Sequence, residues 1–274
     1  MTALRPNPLL LATLGTVALL AVASIALRWQ NPAKDFPAPV QAAALAGAAS
    51  RTPVLVELFT SEGCSSCPPA DALLAELDQK QFVPGAQAIV LSEHVSYWNN
   101  LGWRDPFSSQ AFTDRQNDYA SRLGIEGPYT PQAVVDGHAD VVGSNRANLA
   151  RAVQSASIQP KIPLSIENAH WAGDKVQATL RAAPFQNATL IAALADDQDQ
   201  SSVLRGENEG RNLSHVAVVR TLMQLRPAPG STDPTPIELK LTSGVPQPKM
   251  RLVVFLADKR TGHILGAAMQ LVTR

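Results

Sequence analysis

Between Val54 and Asp78 the chain reads VLVELFTSEGCSSCPPADALLAELD, and this stretch holds both of its cysteines, Cys64 and Cys67. VLVELF is a nearly unbroken apolar run rich in β-branched residues, the pattern of a central strand covered on both faces. TSEG then makes a turn. In PPADALLAELD the prolines suit a helix's first turn, and Leu73, Leu74 and Leu77 recur at helical spacing. The two thiols therefore stand where a strand hands over to a helix. A helix N-terminus offers unpaired N–H groups and a positive dipole end, both of which favour a thiolate. Pro68 has no backbone N–H, so the regular helix is expected to begin at Cys67, leaving Cys64 on an exposed turn before it.

Upstream, LLLATLGTVALLAVASIAL from Leu9 to Leu27 is uncharged and follows Arg5. A charged start and an apolar middle mark an export segment. Its length suits a membrane-crossing helix, while Ala21-Val22-Ala23 offers small residues at cleavage spacing. Residues 1–28 are read as a signal peptide or membrane anchor, and the Ala/Pro-rich residues 29–50 as a linker. The protein is expected to be periplasmic or secreted, with residues 9–27 as the anchor if the segment is retained.

Export changes the meaning of the cysteines, because an oxidising compartment turns a lone pair of thiols into a disulfide. Bridging residues three apart closes a very small ring, which constrains the unfolded chain little and makes a poor staple. The value of such a bond is chemical. A chain of 274 residues suggests two folded units. With 23 basic and 23 acidic residues the formal net charge is zero, so no nucleic-acid partner is expected.

Downstream, AQAIVLSEHV from Ala86 reads as a second strand and SSQAFTDRQNDYASRLG as a serine-capped helix closed by Gly124. TPQAVVDGHADVVG reads as a hairpin turning at Asp136-Gly137, and SNRANLARAVQSA from Ser144 as a helix with a serine cap. The order over residues 51–158 is βαβαββα. Together with a CxxC after the first strand and Thr130-Pro131 before the third, it resembles the thioredoxin fold. The resemblance implies a cis proline at Pro131 that lies against the disulfide and shapes a groove for an extended substrate. Residues 159–274 alternate in short apolar runs between Gly, Pro and Asp, which reads as a second, all-β, sandwich-like domain.

ELFTSEGCSSCPPAD, HVSYWNNLGWRDPF, YTPQAVVDG and GENEGRNLSHVAVVR resemble, in order, a family of bacterial secreted thioredoxin-like proteins, the domain of unknown function numbered twelve twenty-three. That resemblance implies a fold and redox chemistry but no settled substrate; with the CxxC at a strand-to-helix turn, the chain is read as a thiol–disulfide oxidoreductase, expected to act on protein or peptide thiols with a redox partner protein. Its redox centre would be the Cys64–Cys67 disulfide, with no separate cofactor. Cys64 would be the attacking thiol and Cys67 the resolving one. Ser65-Ser66 between the cysteines and one extra residue in the preceding turn depart from ordinary thioredoxins.

Glu57 interrupts the apolar strand, where an unpaired carboxylate would be costly. It is either a proton carrier for the second cysteine, as in thioredoxins, or a carboxylate that reaches solvent or pairs with an arginine. His94, Tyr97, Trp98 and Trp103 follow the second strand, at the sheet edge where open α/β sheets bind ligands. With Thr130 they are candidates for a substrate groove, which the glycine-rich loop carrying Arg211, with His215 behind it, would complete. Two rival readings stay open. Cys64, Cys67 and His94 would suit a cuprous ion in a copper-binding or copper-delivery protein. A non-catalytic binding module that keeps a residual disulfide is the other. A closed zinc site lacks two further ligands at suitable spacing.

Overall fold

The computed structural model describes residues 51–226, 234–241 and 249–274. The export or anchor segment expected within residues 1–28 and the linker of 29–50 lie outside the described residues. Strand β1, Thr52–Thr60, is buried from Val54 onward. It pairs in parallel with β2, Ala86–His94, and antiparallel with β3, Gln132–Val135. β3 turns at Asp136-Gly137, both with positive φ, into β4, Ala139–Val142. Three helices interleave: α1, Pro68–Lys80; α2, Gln110–Leu123; and α3, Arg146–Ser157.

Strand alternation sorts β1 onto two faces. Val54, Val56 and Leu58 pack with Leu73, Leu74 and Leu77 of α1 and Leu149 and Val153 of α3. Leu55 and Phe59 look the other way, towards Phe112 and Tyr119 of α2. Ser109 caps α2 by accepting from Ala111 N–H, and Gly124 closes it at φ 67°. The cap of α3 is Asn145, not Ser144, because its side chain reaches the Asn148 N–H.

The remaining strands fall where the alternating runs place them: β5 Leu164–Ala172, β6 Lys175–Ala182, β7 Ala188–Ser202, β8 Asn212–Leu225, β9 Thr235–Lys240, β10 Met250–Asp258 and β11 Ile264–Leu271. Their assembly overturns the expected fold class, a βαβαββα thioredoxin domain followed by an all-β sandwich-like domain. Eight strands form one mixed sheet in the order β11-β10-β7-β8-β2-β1-β3-β4. β8 runs parallel to β2, meeting it at Ser92 and Val218, so β2 is an interior strand rather than an edge. The molecule is mostly β, with three helices among the described residues. The physical reason is the open outer edge of β2, against which the long β7–β8 hairpin lies and which β8 joins at the Ser92–Val218 bridge. Only β5, β6 and β9 form a second sheet, whose Val176, Leu180, Ile237 and Leu239 pack on Leu190, Leu194, Leu252 and Val254 of the large one.

Candidate functional site

β1 delivers the chain into a tight turn in which Cys64 N–H donates to the Ser61 carbonyl and Cys67 N–H to the Cys64 carbonyl. Cys67 is the N-cap of α1, with no side-chain cap bond, and Pro68 starts the helix. Cys64 and Cys67 form a disulfide. Ser65 and Ser66 between them are exposed, but both cysteines have 0% exposure. Cys64 therefore does not stand open to solvent as its place before the helix suggests.

What covers it is the β7–β8 connection. Asn208, itself fully buried, donates its side-chain amide to the carbonyls of Glu62 at 2.8 Å and Cys64 at 2.9 Å. Arg211 Nη1 donates to Asn208 Oδ1 at 2.8 Å and so orients that amide. Ser65 N–H donates to Glu207 Oε2 at 3.0 Å, and the bonds from Ser65 hold the Glu207 carboxyl below its usual value. The loop sits close because of two glycines with positive φ. A Cβ at Gly102 would lie 3.3 Å from Gly206 Cα, and one at Gly206 would lie 3.2 Å from Trp103 Cβ. Larger residues there would lever the loop away.

Beneath the loop lies a buried polar cluster. Glu62 accepts from Trp103 Nε1 at 2.7 Å and from the Ser201 hydroxyl. Its backbone N–H donates to Asp105 Oδ2, which also lies 2.7 Å from His94 Nδ1. Burial works to raise the Asp105 carboxyl, but His94 and two backbone N–H groups outweigh it and hold it below its usual value. His94 and His215 meet edge to face, with ring centroids 4.7 Å apart. His215 Nε2 lies 3.4 Å from Glu62 Oε1, and Nδ1 lies 3.8 Å from Asp71 Oδ2. Burial works to lower the His215 imidazole, but the carboxylates of Asp71 and Glu62 overcome it and push it up to about 10.

The aromatic residues flank this turn. A Cβ at Gly63 would lie 3.1 Å from Trp98 Cβ, and Trp98 Nε1 donates to Thr130 Oγ1 at 2.8 Å. Trp98 thus links the cysteine turn to Thr130, whose bond to Pro131 is cis. A Cβ at Gly143 would meet Leu58, Ala70 and Pro131, which places Pro131 beside the first turn of α1. Tyr97 is partly exposed beside Trp98 and donates to Gln116 Oε1.

Glu57 goes elsewhere. It faces α2, opposite α1, and is held by Arg115 Nε at 2.7 Å and the Tyr119 hydroxyl at 2.5 Å. Of the two roles open to it, the arginine pair is the arrangement present. Glu93 lies 3.5 Å from Arg115, and burial followed by the Glu57 charge pushes its carboxyl well up. Burial works against the Arg115 charge, yet Glu57, Tyr119 and Glu93 raise its pKa above the usual value. Among the described residues no group of three His, Cys, Asp or Glu side chains is arranged to hold a metal ion.

The structure therefore gathers Cys64, Cys67, Trp98, Trp103, Thr130, Pro131, His94, Arg211 and His215 around one turn. Sequence reasoning missed Glu62, Asp71 and Asp105, and it singled out the loop that carries Glu207 and Asn208 without assigning either a role. Glu62 and Asp71 lie inside the opening stretch, and an acid in the first turn of α1 was the available signal.

Fold and site together define a mixed-sheet protein with a CxxC disulfide at a strand-to-helix turn. The chain belongs to the DUF1223 family of proteins of unknown function, which matches residues 55–257. It is similar to a protein from Agrobacterium tumefaciens of known crystal structure, with a TM-score of 0.60 and 27% identity over 81% of this chain and 95% of that one. No curated protein matches it.

Proposed function

We propose that this protein is an exported thiol–disulfide oxidoreductase acting on protein or peptide thiols, carried out of the cytosol or anchored by residues 9–27. The observation that carries the reading is the bond between the chain's two cysteines at the N-terminus of α1, a ring too small to be an effective staple. In the reduced form the Cys64 thiolate attacks a client disulfide, and one client sulfur leaves with the electron pair. Cys67 then attacks Cys64 Sγ, closing the protein disulfide and releasing the second client thiolate. The client gains two electrons and the protein loses two; the reverse sequence oxidises the client. Trp98, Thr130 and Pro131 border the turn where a client strand would lie, and loop 206–211 must lift for it to enter.

Complete burial of both cysteines favours one second reading, a binding module whose disulfide is only structural. Covalent trapping separates the two. Cys67→Ser is expected to accumulate mixed disulfides with exported proteins, resolved by non-reducing electrophoresis after acid quenching, and Cys64→Ser to accumulate few. Absence of adducts in both, where a known oxidoreductase variant yields them, would leave the binding module.

A further inference from the structure

His215 is 2% exposed, and neither of its ring nitrogens makes a hydrogen bond. An imidazole buried in that state is costly unless charge or chemistry accounts for it. The groups facing it are Glu62 from the turn after β1, Asp71 from α1, and His94 from β2 with Asp105 behind it. Across the β7–β8 ladder stands Asp199, which pairs with Arg220. The two carboxylates nearest His215 bracket the CxxC. Glu62 precedes Cys64 by two residues. Asp71 lies four residues after Cys67, with its N–H donating to the Cys67 carbonyl at 3.1 Å, so it sits one helical turn along the same face. Asp71 Oδ1 is buried and makes no hydrogen bond.

We propose that Asp71 and His215 form a proton relay for Cys67, with Asp71 exchanging the proton with Cys67 Sγ and His215 recharging Asp71. The inference rests on the oxidoreductase reading and assigns the proton path that Glu57, committed to Arg115 and Tyr119 on the other face, does not provide. When a client thiolate attacks Cys64 Sγ, a new S–S bond forms and the Cys64–Cys67 bond breaks, its electron pair going to Cys67 Sγ. The His215 imidazolium gives a proton to the Asp71 carboxylate, which passes it on to that sulfur. A second client thiolate then attacks the mixed disulfide. The client is oxidised by two electrons, Cys64 and Cys67 are reduced, and solvent returns a proton to His215. His215 is here a positioning residue that acts through Asp71.

The test is the rate at which dithiothreitol opens the disulfide in the full chain, measured from about pH 6 to about pH 11, which spans the ordinary and raised histidine values. The parent is compared with His215→Gln, Asp71→Asn and the double variant. Positioned acid catalysis is worth about a hundredfold or more, so each single variant is expected to be slower by about that factor near neutral pH. The double variant is expected to be no slower than either single one, since the two act as a unit. The gap is expected to close above about pH 10, where the parent loses the His215 proton. A parent-to-variant ratio that stays constant with pH, or rates equal to the parent, would overturn the relay. If His215→Gln does not fold, Asp71→Asn carries the same reading. Because dithiothreitol is no client, failure here alongside trapped client adducts removes the relay alone, whereas a relay signature without adducts removes the client exchange.

Discussion

Asn208 places its side-chain amide 2.9 Å from the carbonyl of Cys64, across 144 positions of sequence. The same amide reaches the Glu62 carbonyl, so one residue of the β7–β8 loop closes the turn that carries the disulfide. Asn208→Ala removes both bonds and strips the buried Glu62 carbonyl of its partner, leaving Cys64's carbonyl with the Cys67 N–H alone, at about 1–3 kcal/mol. With 1.4 kcal/mol equal to a factor of ten, the open loop becomes about fivefold to about a hundredfold better populated. Dithiothreitol is expected to reduce the variant's disulfide faster by that factor. An unchanged rate would mean that the loop does not gate access.

The second expected outcome concerns pH. The folded His215 value of about 10 lies above the ordinary histidine value of about 6.5. The folded state therefore holds the proton more tightly, and its contribution is full below about pH 6.5 and is lost as pH rises towards about 10. Urea unfolding of the parent across that window should show stability falling with pH, and His215→Gln should flatten the decline. Parallel profiles would show that His215 does not titrate between Asp71 and Glu62.

A third outcome tests the buried Glu57 cluster. Arg115→Met strips the cation from Glu57 and is expected to cost about 3–5 kcal/mol, because an uncompensated carboxylate stays buried. Adding Glu57→Gln to Arg115→Met should restore a large part of that loss. If the double variant were as unstable as the single one, packing rather than charge would explain Arg115.

The shared sheet gives a fourth. Arg251 of β10 makes a bidentate pair with Asp78 of α1, at 2.9 and 3.1 Å, and also holds Asp197. Unfolding followed by Trp98 and Trp103 in one half and Trp171 in the other should give coincident transitions. Arg251→Met should move both together, by about 1.5–3 kcal/mol for lost charged hydrogen bonds. Separate midpoints would show that the halves melt independently.

Much of this was legible in the residues and some was not, for identifiable reasons. Period-two and period-3.6 apolar runs gave every strand after Gln159 and the three helices, because burial of one face writes itself into local spacing. The partnership of β2 with β8 left no such mark, since a strand's edge pairing is a long-range backbone choice and Val218 looks like any other apolar residue in an alternating run. The glycine-rich loop stood out by composition. That Asn208 and Glu207, rather than Arg211, bond the backbone of the cysteine turn depended on the loop's path. Glu57 drew notice as a charge in an apolar strand, but Arg115, its partner, sits 58 residues away on a helix face that reads as solvent-exposed.

The gap of 144 residues between Cys64 and Asn208 also orders events in time. A ribosome completes the cysteine turn well before it reaches the loop that seals it, and β8 must follow before β2 finds its outer neighbour. During that interval the two thiols lie open to any oxidant the nascent chain meets. Sealing comes last, and until the loop docks the two cysteines lack the cover that the β7–β8 connection gives them.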